Sequence, residues 1–453
     1  MTALGVPWRG ELRLAGAGQA VMLCSAVRKC GDTISYLAMA FLTSAERAAL
    51  ETVDERADEA IATLKAWCRI SSGSRNLTGL ARMAQALRDA FSRLPGRLED
   101  VALAPSQSID AHGLRQLQPH PPALRLSVRP DAPLQVALTG HYDTVFPIDS
   151  AFQDWRLLSD DVINGPGVAD MKGGILVMLE ALTALERHPD AARLGYTVLL
   201  SPDEEIGSPA SAPLLATLGA GAAFGMTYEP ALPDGALVGA RPGSGNFTLV
   251  IHGQAAHAGR AHHLGVSAIL AAARFVVALE ALNGVQPGVI FNTGKIDGGG
   301  PTNIVPDLAV VRFNVRAPDA QARDWAESQI AHCLGQIAGD KLRVELLGSF
   351  TRAPKPMAAP IQVLHEIVAE VGHDLGMVLT NRPSGGVCEG NNLWAAGCPN
   401  VDTLGVRGGA IHSSEEFAHL SSVAERAKLS ALLLMRFASG LYDANQLRPL
   451  GQD

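Results

Sequence analysis

The segment Leu200-Ser-Pro-Asp203-Glu204-Glu205-Ile-Gly207 sets three consecutive acids at the end of the apolar run Tyr196–Leu199. Such a run reads as a strand, and neighbours on extended chain point to opposite sides, so one carboxylate can face a metal while the next faces a substrate. Alone, the triplet is as readily a solvated acidic turn. It gains weight because ligand-type residues recur just past other apolar runs. Leu134–Thr139 breaks at Gly140 and presents His141 and Asp143; the carboxylate can take the proton of one ring nitrogen and leave the other free to ligate. Gly165-Pro-Gly-Val-Ala-Asp170 puts an aspartate before an apolar helix pattern, where it is either a helix N-cap or a bridge between two cations. Phe224–Tyr228 ends in Glu229, and Asn400–Gly405 leads through a Gly-rich loop to His412. His141, Asp170, Glu205, Glu229 and His412 make a nitrogen and oxygen set suited to zinc or a similar divalent ion. Two ions sharing Asp170 would stand ~3.5 to 4 Å apart, the spacing of two-metal hydrolytic sites. Positions just past strand ends are also where open α/β sheets hold their ligands.

Seven blocks in order carry a family resemblance: Gly-His141-Tyr-Asp143-Thr-Val, Gly-Val-Ala-Asp170-Met-Lys-Gly-Gly, Asp-Glu204-Glu205-Ile-Gly, Tyr-Glu229-Pro, Ala-His257-Ala-Gly, Thr-Asn303-Ile-Val-Pro and Ile-His412-Ser. From about Ala45 to about Ala438 the chain resembles the co-catalytic zinc exopeptidases and amidohydrolases that include carboxypeptidase G, succinyl-diaminopimelate desuccinylase, acetylornithine deacetylase and aminoacylase. The resemblance implies two Zn²⁺ per chain, with Mn²⁺ or Co²⁺ as alternatives. One would be held by His141, Asp170 and Glu229 and the other by Asp170, Glu205 and His412. It also implies that Glu204 is the general base and that Asp143 orients His141. Spacing alone does not choose Glu204 over Asp203.

At 453 residues the chain exceeds the usual single-core size, and two domains are the expectation. The net charge of −8, without a basic block or aromatic-basic interleaving, argues against nucleic acid and against an anionic membrane surface. No run of about 20 residues is apolar enough to span a bilayer, which argues for a soluble chain. Six scattered cysteines without a disulfide framework favour a reducing compartment, so a cytoplasmic location is expected, with a periplasmic one as the alternative. In residues 1–44 the stretch Leu14–Val27 is only weakly apolar and is flanked by Arg9, Arg13, Arg28 and Lys29. It makes a poor secretory signal. Met39 as an alternative start and a loosely docked extension are the two other readings.

The pattern turns helical at Ser44 and stays so to Trp67, with a second helix expected over Leu77–Leu94 and the polar loop Ser71–Asn76 read as a connector. Strand-like runs follow at Leu124–Val128, Leu134–Thr139, Tyr196–Ser201, Phe224–Tyr228 and Val401–Leu404, with a helix over Ile175–Arg187. Strands alternating with helices predict an α/β fold, a mixed central sheet with helices on both faces. The sheet is interrupted once. From Leu237 the runs Asn246–His252, Val266–Ala281, Gly288–Lys295, Leu308–Val315, Asp319–Ile337 and Leu342–Leu347 give β-α-β-β-α-β, a ferredoxin-like insert. The expected layout is an extension over 1–44, a catalytic domain over 45–236 and 354–453, and an inserted lid and dimerisation domain over 237–353.

On the insert, the resemblance singles out His257 as a group that reaches the partner subunit's active site and steadies the oxyanion. It matches Asn303 and Arg316 to groups that hold a free substrate carboxylate, for which Arg offers a planar fork of donors. It also places Arg352 where carboxypeptidase G-like relatives carry a substrate-facing Arg; a surface ion pair is the plainer reading of that residue. One departure stands out: Cys388-Glu389 occupies a segment where relatives more often have Ser or Thr followed by Asp. Glu389 is one methylene longer, which leaves open how it shapes the pocket beyond the metals, and Cys388 is expected to be a small buried residue.

These features predict a dinuclear zinc hydrolase that cleaves the amide bond of an N-acyl amino acid or small peptide with a free C-terminal carboxylate, acting as a homodimer through the insert. A deacylase or aminoacylase of the same fold is the nearer alternative, and a non-catalytic small-molecule binder the farther one. The Gly165-Pro-Gly-Val-Ala-Asp170 run lacks the third glycine of a dinucleotide loop.

Overall fold

The computed structural model describes residues 42–339 and 341–447. The readings made for the segment before Leu42 (the weak apolar stretch, the start at Met39, the docked extension) lie outside the described residues.

The long helical pattern is two helices, α1 (Ser44–Glu55) and α2 (Ala57–Cys68), parted at Arg56, whose Nε pairs with the buried Glu180 at 2.8 Å. A capping box fixes the start of α1: Thr43 accepts from the Glu46 amide and Glu46 accepts from the Thr43 amide. After α3 (Leu77–Phe91) come strands β1 (Arg97–Val101), β2 (Ala123–Val128) and β3 (Leu134–His141), helix α4 (Lys172–Leu185), strand β4 (Leu194–Ser201), helix α5 (Ala212–Ala220) and strand β5 (Phe224–Thr227). The inserted unit follows as β6 (Gly243–His252), α6 (Ala268–Glu280), β7 (Ile290–Gly298), β8 (Leu308–Ala317), α7 (Ala320–Ile337) and β9 (Arg343–Arg352). Helices α8 (Ala359–Asp374) and α9 (Glu389–Ala395), strand β10 (Asn400–Val401) and helix α10 (Ser421–Ser439) complete the chain.

The central sheet runs β1-β2-β4-β3-β5-β10. Its inner pairs β4-β3, β3-β5 and β5-β10 are parallel, while β1 and β2 add an antiparallel edge. Alternation along β3 divides the core: Val136 and Leu138 join the large cluster with α4 and α10, and Ala137 faces Leu393 of α9 on the other side. Helices therefore cover both faces, as the near-continuous apolar strands predict. The parallel strands all deliver their C-terminal ends to one rim. β1 was not anticipated from the sequence; Arg97–Val101 is largely polar and only half-buried.

The insert's sheet runs β7-β8-β6-β9 with every neighbouring pair antiparallel, the order a β-α-β-β-α-β chain gives. One face, with Phe247, Leu249, Val311, Phe313 and Val315, packs on α6 and α7 to make its own core. The intervening residues Asn246, Thr248, Arg312, Asn314 and Arg316 lie on the opposite, open face. A hairpin not foreseen from the sequence, Ser106–Ile109 with Arg115–Gln118, reaches from the first half of the chain to that face. There Arg312 donates to the carbonyls of Ile109 and Asp110 at 2.8 and 2.9 Å. Among the described residues, no helix is long and apolar enough to cross a membrane.

Candidate metal centre and active-site cleft

Five side chains meet at the rim where β3, β4 and β5 end. His141, Asp170 and Glu229 form one group, and Asp170, Glu205 and His412 the other, with the donor atoms of each group within 4.8 Å of one another. His141 Nε2 lies 3.2 Å from Asp170 Oδ1 and 3.8 Å from Glu229 Oε1; His412 Nε2 lies 3.2 Å from both Asp170 Oδ2 and Glu205 Oε2. Asp170 is common to both groups. His141 Nε2, Asp170 Oδ1, Glu205 Oε1 and Glu229 Oε1 are buried without a hydrogen-bond partner. Converging, unsatisfied donors of this kind are costly unless a cation takes them up, so the residues fit two divalent ions with nitrogen and oxygen ligands.

The electrostatics agree. Burial, reinforced by Asp170, pushes the Glu205 carboxyl up to about 8, and burial likewise drives Glu229 well up. Burial works against charge on Asp170 too, but the His141 and His412 imidazoles beside it hold it below its ordinary range. The bonds of His412 to Asp170 and Glu205 lift its imidazole to about 10.

A layer of hydrogen bonds aims the ligands. His141 Nδ1 lies 3.1 Å from the Asp143 carbonyl oxygen and 3.4 Å from its carboxylate. The Asp143 carboxylate also accepts from the amides of Glu204 and Glu205 at 3.1 and 3.2 Å, so one buried anion positions both His141 and the acidic turn. Ser74 Oγ donates to it at 2.7 Å. The loop Ser71–Asn76 is thus part of the site's support, which corrects its reading as a plain connector. Glu416 was not singled out from the sequence. It accepts from the amides of Gly167, Ala169 and Asp170 at 3.1, 2.9 and 3.0 Å and ties the His412 loop to the Asp170 loop. Its place four residues after His412 was the one available signal.

The acid triplet divides its work. Asp203 is fully buried and accepts from the amides of Ala210 and Ser211 at 2.7 and 3.1 Å, just before α5. Glu205 joins the second ligand group. Glu204 faces the cleft, where Arg352 Nη1 lies 2.6 Å from its Oε1 while Arg352 Nη2 donates to Ser208 Oγ at 2.8 Å. Arg352 is therefore buried against Glu204; it is not the surface ion pair of the plainer reading.

The cleft has a volume of about 770 Å³ and runs from the ligands to the open face of the insert's sheet. Arg316 lines it with its Nε donating to Asn314 Oδ1 at 2.9 Å and its Nη1 unpartnered. Arg241 also lines it, but its fork is occupied by the buried Asp402, at 2.8 and 3.0 Å, which Lys355 contacts as well. His257 and Asn303 come together at the far end of the insert, where the Ala258 amide donates to the Asn303 carbonyl at 2.9 Å, and neither lines this cleft. Glu389 is fully buried beneath the rim, bonded to Ser201 Oγ, and burial pushes it up to about 8. At the first turn of α9 its side chain turns inward, and it does not line the cleft. Cys388 is buried as expected and accepts the Gly390 amide at 3.3 Å, capping α9.

The sequence profile of Peptidase family M20/M25/M40 matches residues 137–436, spanning the whole rim and the insert. The chain belongs to this family. It is accordingly a metal-dependent hydrolase of amide or peptide bonds. Carboxypeptidase G2 of Pseudomonas sp. (strain RS-16) is 27% identical over 309 residues, covering 67% of this chain and 74% of that protein. Succinyl-diaminopimelate desuccinylase of Bradyrhizobium sp. (strain BTAi1) is 26% identical over 323 residues, covering 67% and 83%. Among solved structures, the fold is similar to the M20 family metallo-carboxypeptidase Sso-CP2 from Sulfolobus solfataricus, with a TM-score of 0.66 at 16% identity over 84% of this chain and 99% of that one. Human carnosine dipeptidase 1 gives 0.65 at 16% identity over 87% and 100%. The α/β architecture expected from the sequence is that of these M20 folds.

Proposed function

We propose that this M20 hydrolase cleaves the amide bond next to a free carboxylate, releasing the C-terminal residue of an N-acyl amino acid or small peptide. The observation that carries the reading is Arg316, a guanidinium with no carboxylate partner and a free Nη1, which shares the cleft with the ligand groups and Glu204. Its neighbours Arg241 and Arg352 already have carboxylate partners, Asp402 and Glu204. Two divalent ions, zinc by the donor set with manganese or cobalt as alternatives, would polarise the scissile carbonyl and acidify a water. Glu204 takes that water's proton and returns it to the departing amine nitrogen. Arg352 holds Glu204 in place, and Asn314 holds Arg316 in place to receive the substrate carboxylate in its fork.

A homodimer formed through the insert completes the proposal. The open edge of β7 carries exposed Ile290 and Ile296, and α6 exposes Leu270 and Val277, a strand edge and apolar surface suited to a second copy. The partner subunit's His257 would then steady the oxyanion, with Asn303 beside it for the substrate. The free, buried Cys68, Cys333, Cys388 and Cys398 favour a cytoplasmic setting.

Kinetics of Arg316→Ala test the reading. Against a panel of N-acyl amino acids and dipeptides ending in glutamate, alanine or an aromatic residue, kcat/KM should fall by ~10²-fold or more, the cost of ~3 kcal/mol for a charge-assisted bond. The corresponding amides should be cleaved slowly by both proteins and lose little. An equal loss for acids and amides would refute the exopeptidase reading.

A further inference from the structure

A second cavity of about 890 Å³ opens from the cleft along the open face of the insert's sheet, with the hairpin Ser106–Gln118 as its other wall. Ile206, Gly207, Asn246, Asn292, Asn314 and Thr351 line both spaces, so the two are continuous. Strand register orders the floor into rows. Arg316 stands opposite Ser244 and Ile290 nearest the ligand groups; Asn314 stands opposite Asn246 and Asn292 in the next row; Arg312 stands opposite Thr248 and Lys295 beyond. From Arg316 to Arg312 is four strand residues, ~13 Å at ~3.3 Å per residue.

The chemistry of this space is neutral and amide-like. Gln107, Gln116 and Gln118 on the hairpin face Asn246, Asn292 and Asn314 on the floor, and such groups both donate and accept. The charged side chains around it are already committed. Arg75 donates to Gln118 at 3.1 Å, Lys295 lies 3.2 Å from Asp297, which also takes Arg312, and Asp110 accepts the His112 and Leu114 amides. An extended peptide backbone would find both donors and acceptors there.

We propose that this second cavity binds the N-terminal remainder of an oligopeptide, about three or four extended residues beyond the scissile bond, so that the preferred acyl group is peptidyl and not a compact acyl such as acetyl or succinyl. The proposal rests on the reading of the cleft given above, with the free carboxylate on Arg316 fixing the direction of the chain.

Binding to the metal-loaded Glu204→Gln protein tests it, using N-acetylated peptides of two to five residues ending in glutamate and a matched set ending in alanine. Affinity should rise at least tenfold from two to five residues in the better set, and Thr248→Trp, which fills the floor of the cavity, should erase that rise. Gln107→Trp narrows the same space from the hairpin and should do likewise; agreement between the two, with unchanged circular dichroism, separates cavity filling from misfolding. Affinity independent of length, or a rise that survives both substitutions, overturns the proposal. A length-dependent rise erased by the substitutions, in a protein whose wild type cleaves none of these peptides, would keep the cavity assignment and refute the hydrolytic reading instead.

Discussion

Three adjacent acids with one charge and similar reach end in three environments. Asp203 holds the amides of Ala210 and Ser211 just before α5 from within the core, Glu204 meets Arg352 in the cleft, and Glu205 meets His412. The turn after β4, held by the Asp143 carboxylate through the Glu204 and Glu205 amides, is what separates them. Glu204→Gln should keep both metals, measured by elemental analysis, and lose ~10² to 10⁴ in kcat, the scale of a positioned base. Glu205→Gln should instead lose about one metal equivalent per chain. Near-full activity of Glu204→Gln with metals intact would remove Glu204 from the role of base.

Among the elements, the two ligand-bearing loops depend on each other more than on the strands that precede them. Glu416 spans them, taking three amides of the Asp170 loop, while His412 itself sits at φ 63, a left-handed conformation that a non-glycine residue adopts only when its surroundings impose it. Removing the carboxylate should loosen Asp170, the residue common to both ligand groups. Glu416→Ala is expected to weaken metal affinity ~10- to 100-fold, as loss of a group that orients ligands does. Chelator competition measures this without reference to turnover. Glu416→Gln, which can accept through one oxygen, should recover part of it, and unchanged affinity in both would make Glu416 merely a loop residue.

For the whole molecule, His257 and Asn303 lie at the end of the insert remote from the cleft of their own chain. That placement, and the apolar edge formed by β7 and α6, motivates a site shared between subunits. Glu204→Ala and His257→Ala should each be inactive alone, and mixing them with subunit exchange should restore activity. In a mixed dimer the His257→Ala chain keeps its own Glu204 and receives an intact His257 from its partner, so one of two sites works. Exchange verified by mass, without recovered activity, would place the action of His257 within its own chain.

Strand and helix positions were legible because apolar periodicity is a local property: β2 to β5, α4 and all six elements of the insert fall where alternating or helical spacing predicts. Of the candidate ligands, His141, Glu205 and Glu229 were legible because they come just past the apolar runs of β3, β4 and β5, whereas Asp170 and His412 sit on Gly-rich loops. Polar elements escaped, notably β1 and the hairpin Ser106–Gln118, because their stability comes from Arg312 and from neighbouring strands and not from any apolar pattern of their own. The sequence by itself determined the mixed α/β core and the β-α-β-β-α-β insert, since those follow from where hydrophobic runs begin and end. Tertiary structure decided that Asp203 turns into the core, that Ser74 and Glu416 support the candidate ligands, that Glu389 turns inward, and that Arg316 has no carboxylate partner while Arg241 and Arg352 do. Those outcomes depend on hydrogen bonds between residues as much as 249 positions apart, as from Gly167 to Glu416, and such partners leave no mark in local spacing.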